Sequence, residues 1–127
     1  MVQDCHGAPG IVCRLAGARS PALRALLVKG AETVWLAGPL VKPPGLCHGT
    51  DGNGYAFLKL HRRTGDPLWL DRARAFAMHG IAQTEAEAAR HGHMRHSLWT
   101  GDPGFAIYLQ ACLDATADFP TLDRFYA

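Results

Sequence analysis

Three Gly-x-x-Gly steps, Gly7/Gly10, Gly49/Gly52 and Gly101/Gly104, divide the 127 residues into three units of similar build. Glycine at the first and fourth places permits positive φ and close backbone approach, and apolar residues at helical spacing follow each step. They are Ile11, Leu15 and Ala18 in the first unit, Phe57, Leu58 and His61 in the second, and Phe105, Tyr108, Leu109, Cys112 and Leu113 in the third. Each unit therefore reads as a loop that runs into a short helix. Ser20-Pro21 and Asp66-Pro67 then supply an N-cap and a first-turn proline for a second, longer helix. Gly65 stops the helix before the latter.

Those second helices carry apolar faces of their own, Leu23, Leu26, Leu27, Gly30 and Val34 in one, Trp69, Ala73, Phe76, Ala77, Gly80 and Ile81 in the other. Comparable strand signals are missing, and the Pro-rich run Gly38 to Gly45 is a loop that leads directly to Cys47. The spacing predicts an all-α chain of helical hairpins, in one domain with units of approximately 5–38, 45–90 and 97–127. Gly7 and Gly49 stand 42 residues apart and Gly49 and Gly101 stand 52 apart, a period suited to stacked helix pairs that cannot bury their faces alone. Two hairpins and a half offer each other few neighbours, so either a missing upstream segment or self-association is expected to cover them.

A net charge of +2 without any basic run argues against a nucleic-acid surface. Apolar runs such as Ala22 to Val28 are too short to cross a bilayer, and Met1-Val2-Gln3-Asp4 does not begin like a signal peptide, so the expected address is cytoplasmic. In a reducing compartment the cysteines at 5, 13, 47 and 112 are thiols or metal ligands. Cys13 and Cys112 fall within apolar helical patterns and read as small core residues.

Two of the three steps open on the same tripeptide, Cys5-His6-Gly7 and Cys47-His48-Gly49. A cysteine just before a helix start faces unpaired N–H groups and the positive end of the macrodipole, which favours thiolate. Loops that converge would present Cys5, Cys47 and His48 to one zinc ion, with a fourth position open for water or a substrate thiol. A Cys-His pair is also what a buried thiol beside a capping histidine looks like. His6 suits a fourth ligand, a general acid or base near neutral pH, or a cap. Asp51 and Asp102 at helix starts are explained by the dipole. His91, His93 and His96 lie in a polar stretch that reads as a solvated loop, while His61 and His79 read as core or boundary histidines. Trp35, Trp69 and Trp99 read as packing residues on separate elements.

Cys5-His6-Gly7-Ala8-Pro9-Gly10, the run from Gly45 to Leu58, and Ser97-Leu98-Trp99 through Gly104 closely resemble the C-terminal part of the LanC-like proteins, the lanthionine synthetase cyclases and their glutathione-using eukaryotic relatives. The resemblance extends over nearly the whole chain. It implies an incomplete α/α toroid of six-hairpin-glycosidase-like architecture, with zinc held by Cys5, Cys47 and His48. It implies addition of a zinc-activated cysteine or glutathione thiol to dehydroalanine or dehydrobutyrine in a peptide, giving a thioether. It also implies His6 as a proton donor, Lys42 as a substrate-binding residue five places before Cys47, and either Arg90 or Arg95 as a second one. Asp4 stands where the family commonly has tryptophan, and Thr100 where it commonly has an acidic residue.

Two further readings compete with that one. The first is a truncated zinc- and thiol-binding module without catalysis. The second, a carbohydrate-active toroid, would need paired carboxylates at the inner loops, where only Asp51 and Asp102 are on offer.

Overall fold

The computed structural model describes residues 2–41 and 43–123. It is all-helical, with α1 at Ala8–Leu15, α2 at Pro21–Ala37, α3 at Thr50–Thr64, α4 at Pro67–His91 and α5 at Asp102–Asp114. Its β pairing, among the described residues, is the isolated bridge between Val2 and Gly7. No helix among these residues is long and apolar enough to cross a membrane.

Local chemistry sets the helix ends. Ser20 Oγ accepts from Leu23 N–H at 3.3 Å and Asp66 Oδ1 from Leu68 N–H at 2.9 Å, and each cap precedes a proline in the first turn. Gly65, at φ 72, takes the left-handed conformation that closes α3 and turns the chain into α4. The hairpins α1–α2 and α3–α4 result. α3 is the inner element of the assembly: it packs against α1, α2, α4 and α5, and every residue from Thr50 to Leu60 is buried. Around it lie Leu27 and Val34 of α2, Trp69 and Phe76 of α4, and Tyr108 of α5. Tyr55 of α3 meets Tyr108 and Phe119 at ring separations of 5.2 and 4.8 Å, and Phe57 meets Phe76 edge-on at 5.0 Å.

The burial of the first two helices differs from the face expected of them. In α1 it is Val12 and Cys13 that are buried, while Ile11 and Leu15 are exposed. α1 carries apolar side chains on more than one side, so periodicity alone cannot select the face that meets α3. Leu26 and Leu113 are likewise exposed, and Leu27, Ala31 and Val34 form the covered stripe of α2. His79 is exposed on α4 rather than at a core boundary. His61 is half-buried, with Nδ1 3.0 Å from the carbonyl oxygen of Asp66. Cys13 and Cys112 are core residues, and burial pushes both thiols up, that of Cys112 to about 11. Trp35 and Trp69, though on separate helices, converge on Arg72, whose guanidinium lies 5.0 and 4.9 Å from their ring centroids and 2.7 Å from Glu32.

The glycine steps are not loops throughout. Their first glycines, Gly7, Gly49 and Gly101, are N-caps, and their second glycines, Gly10, Gly52 and Gly104, lie inside the first turn. A Cβ on any of the second set would collide with a main-chain carbonyl oxygen six residues earlier: that of Asp4, Leu46 or Leu98. The first turns of α1, α3 and α5 thus rest directly on their own entry loops. Gly52→Ala should lower stability by about 1–3 kcal/mol in urea denaturation, the cost of overpacking exceeding any gain in helix propensity. Gly17→Ala, where nothing lies within 4 Å of the added carbon, should stay within about 0.5 kcal/mol.

Candidate metal centre

The helices hold three entry loops side by side. At the place two residues before each N-cap glycine stand Cys5, Cys47 and Trp99, and the main chain links them. Cys5 N–H donates to Cys47 O at 3.1 Å, and Cys47 N–H donates to Trp99 O at 2.9 Å. Equivalent side chains on the first two loops therefore emerge next to each other. The ligand atoms of Cys5, Cys47 and His48 all lie within 4.8 Å of one another, the one such grouping of His, Cys, Asp or Glu among the described residues. Cys5 is exposed, Cys47 and His48 half-buried.

Two sulfurs and an imidazole nitrogen are the donors of a tetrahedral zinc site, where donor atoms around one ion stand roughly 3.5 Å apart, so the residues present fit that ion. Three protein donors would leave a fourth corner of such a site for an incoming ligand. Burial, and next the Cys5 sulfur beside it, push the Cys47 thiol up, so a cation is what would draw that sulfur into the thiolate form.

The other anticipated residues are distributed unevenly around this cluster. His6 is exposed, with Nδ1 3.1 Å from Cys5 Sγ. Arg95 lies at the second and third loops, where its guanidinium donates to Pro44 O at 2.9 Å, Thr100 O at 2.9 Å and Asp102 Oδ1 at 3.0 Å. Together with His48, Gly45 and Thr100 it lines a cavity of about 330 Å³. Arg90, exposed in the last turn of α4, does not line that cavity. Lys42 lies outside the described residues. His91, His93 and His96 are all exposed, and the first is 3.4 Å from Glu87.

Three acids shape the loops in ways that the sequence reading missed. Asp51 is fully buried; its Oδ1 accepts from Gly45 N–H, while Oδ2 lacks a partner. Burial pushes this carboxyl up to about 7, against the opposing pull of the main-chain N–H groups of Gly45, Asp51 and Gly52 and of the Arg95 charge. Asp102 does the corresponding work one unit later, its Oδ2 accepting from Arg95 N–H at 2.8 Å. Asp4, buried where the related motif commonly has tryptophan, takes Arg14 in a two-pronged pair at 2.9 and 3.0 Å. An acid six or seven residues after a loop's first residue is the signal that could have revealed Asp51 and Asp102 as loop clamps beyond their place at the helix dipole.

Residues 2–123 match the family model described as lanthionine synthetase C-like protein. LanC-like protein GCL1 of Arabidopsis thaliana is 44% identical over 82 residues, which cover 61% of this chain and 19% of that protein. Glutathione S-transferase LANCL1 of Danio rerio is 36% identical over 132 aligned positions, covering 97% of this chain and 31% of that protein. The chain thus spans less than a third of the length of either relative.

An acid whose native pKa exceeds its unfolded value binds more protons folded than unfolded between the two, so its contribution to stability falls as pH rises through that window. For Asp51 the window runs from about 4 to about 7 and is worth up to about 4 kcal/mol. In urea denaturations at pH 4 to 8, Asp51→Asn should flatten this decline relative to the wild type. Parallel pH profiles would show that Asp51 does not titrate there.

Proposed function

This chain belongs to the lanthionine synthetase C-like family, and from that premise we propose that it is the zinc-bearing part of a thioether-forming protein. The reaction adds the thiol of a cysteine-containing peptide or of glutathione to dehydroalanine or dehydrobutyrine in a peptide. The observation that carries this reading is the convergence of Cys5, Cys47 and His48, donors from two loops far apart in sequence, within 4.8 Å. The name of the zebrafish relative, a glutathione S-transferase, supports glutathione as one donor.

Zinc held by Cys5, Cys47 and His48 would supply a positive centre that favours the thiolate form of an incoming thiol. The chain's own residues do the rest. The loop ladder from Cys5 through Cys47 to Trp99 fixes where the donors stand, and Asp51 pins the start of the second loop at Gly45. His6 has Nδ1 against Cys5 Sγ, which leaves Nε2 as the atom that delivers a proton to the substrate α-carbon after addition. The proton lost by the thiol balances the one gained at that carbon. Arg95, beside His48 in the cavity, offers a cation to a carboxylate of glutathione or of the peptide, with Lys42 as the second substrate-binding residue and Arg90 further away.

Elemental analysis should find one equivalent of zinc in the wild type and none in Cys47→Ala. Incubation with glutathione and a dehydroalanine peptide should yield a thioether adduct by mass spectrometry. His6→Gln should retain zinc and slow adduct formation roughly 100-fold or more. Metal-free wild type removes the proposed site, and glutathione binding without adduct identifies a thiol-binding module instead.

A further inference from the structure

We propose that Cys5 and Cys47 form a reversible oxidative modification site, closing to a disulfide when the chain meets a hydroperoxide and thereby giving up the metal. The inference rests on the zinc reading above only for its second half, the loss of metal; the crosslink rests on the thiols themselves. Four cysteines are present, and the fold sorts them sharply. Cys13 and Cys112 are 3% exposed and sit within helices, whereas Cys5 is exposed and Cys47 half-buried on adjoining loops. The two loop sulfurs stand within 4.8 Å.

The backbone favours the bond as well. Cys5 and Cys47 are joined directly by the 3.1 Å N–H···O=C hydrogen bond, which holds the two main chains in contact at the cysteines themselves. With the sulfurs already within 4.8 Å, they need approach by no more than about 3 Å to reach the disulfide bond length of about 2 Å. Exposure of Cys5 gives the oxidant its entry.

The chemistry balances with a hydroperoxide as two-electron oxidant. The Cys5 thiolate attacks the peroxide oxygen, breaking the O–O bond and leaving a sulfenic acid; with hydrogen peroxide the leaving hydroxide takes up a proton to become water. The Cys47 thiol attacks the sulfenic sulfur and expels a second water. In sum, two thiols and one hydrogen peroxide give one disulfide and two waters. Once the sulfurs share a bond, neither is a thiolate ligand, and His48 alone is too few donors for zinc. A thiol reductant restores both sulfurs.

The test uses the whole chain, with and without added zinc, treated with one equivalent of hydrogen peroxide and then alkylated. The expected result is loss of two hydrogens in the intact mass, reversed by dithiothreitol, in both samples. From the loaded sample a chromophoric chelator should collect zinc in step with the crosslink, one ion per disulfide. Trypsin leaves Cys5 and Cys13 in one peptide ending at Arg14, so fragment-ion sequencing must place the link at Cys5 rather than Cys13. In Cys47→Ala, Cys5 should stop at a sulfenic acid that dimedone captures. Linkage through Cys13 or Cys112 overturns the proposal. So does Cys5 oxidised to sulfinic acid in the wild type without a link to Cys47, or zinc retained by the crosslinked chain. If the chain forms the crosslink yet never binds zinc, the zinc reading fails, and with it the metal-release half of this proposal, while the thiol site stands.

Discussion

The hydrogen bonds from Cys5 to Cys47 and from Cys47 to Trp99 are the constraint on which the candidate centre depends. Each loop leads into a helix whose first turn rests on that loop through a bare glycine, so the place of the loop sets the place of the helix start. Joining the loops main chain to main chain therefore fixes the helix starts relative to one another. Cys47 and His48 are neighbours on one loop, but Cys5 comes from another, distant in sequence. The ladder bond from Cys5 to Cys47 sets that third donor beside the other two.

Buried polar groups pin the rest of this end of the assembly. Gln83 of α4 donates to Leu40 O at 2.6 Å and accepts from Thr50 Oγ1 at 2.7 Å, tying the Pro-rich approach loop to the start of α3. Asp102 and Arg95 fasten the third loop to the second through Pro44. At the opposite end Lys59, almost wholly buried on α3, pairs with Asp123, whose carboxylate also accepts from Phe119 N–H at 2.7 Å. A buried lysine without such a partner would cost several kcal/mol, so this pair fixes the C-terminal stretch against the core more by penalty than by attraction.

Much of the organisation was legible in the chain itself. Caps at Ser20-Pro21 and Asp66-Pro67 and the stop at Gly65 follow from local chemistry that tertiary context leaves alone, and Cys13 and Cys112 stand in the core as their apolar surroundings in sequence suggest. Repetition of Cys-His-Gly pointed to Cys5, Cys47 and His48, and the fold brings these three together. What stayed hidden depends on partners. Ile11 and Leu15 look no different in sequence from Val12, and only the position of α3 decides between them. Asp51 carries the ordinary signature of a charge at a helix start, but its burial follows from loops folding over it. Arg95 is marked in sequence only as one of two nearby arginines; its bonds to Pro44, Thr100 and Asp102 place it at the loops, whereas Arg90 is exposed in the last turn of α4.

The pairing of Asp4 with Arg14 differs in kind from the clamp at Asp51, for Arg14 has 43% of its side chain open to water while Asp4 has 2%. The first sulfur-bearing loop is thus anchored to its own helix by a bond between opposite charges at the protein's rim. The second is anchored by a proton-sensitive group with no solvent around it. Added salt thus has a point of entry at the loop that carries Cys5, through the open side of Arg14, and none at the carboxyl that holds the loop carrying Cys47.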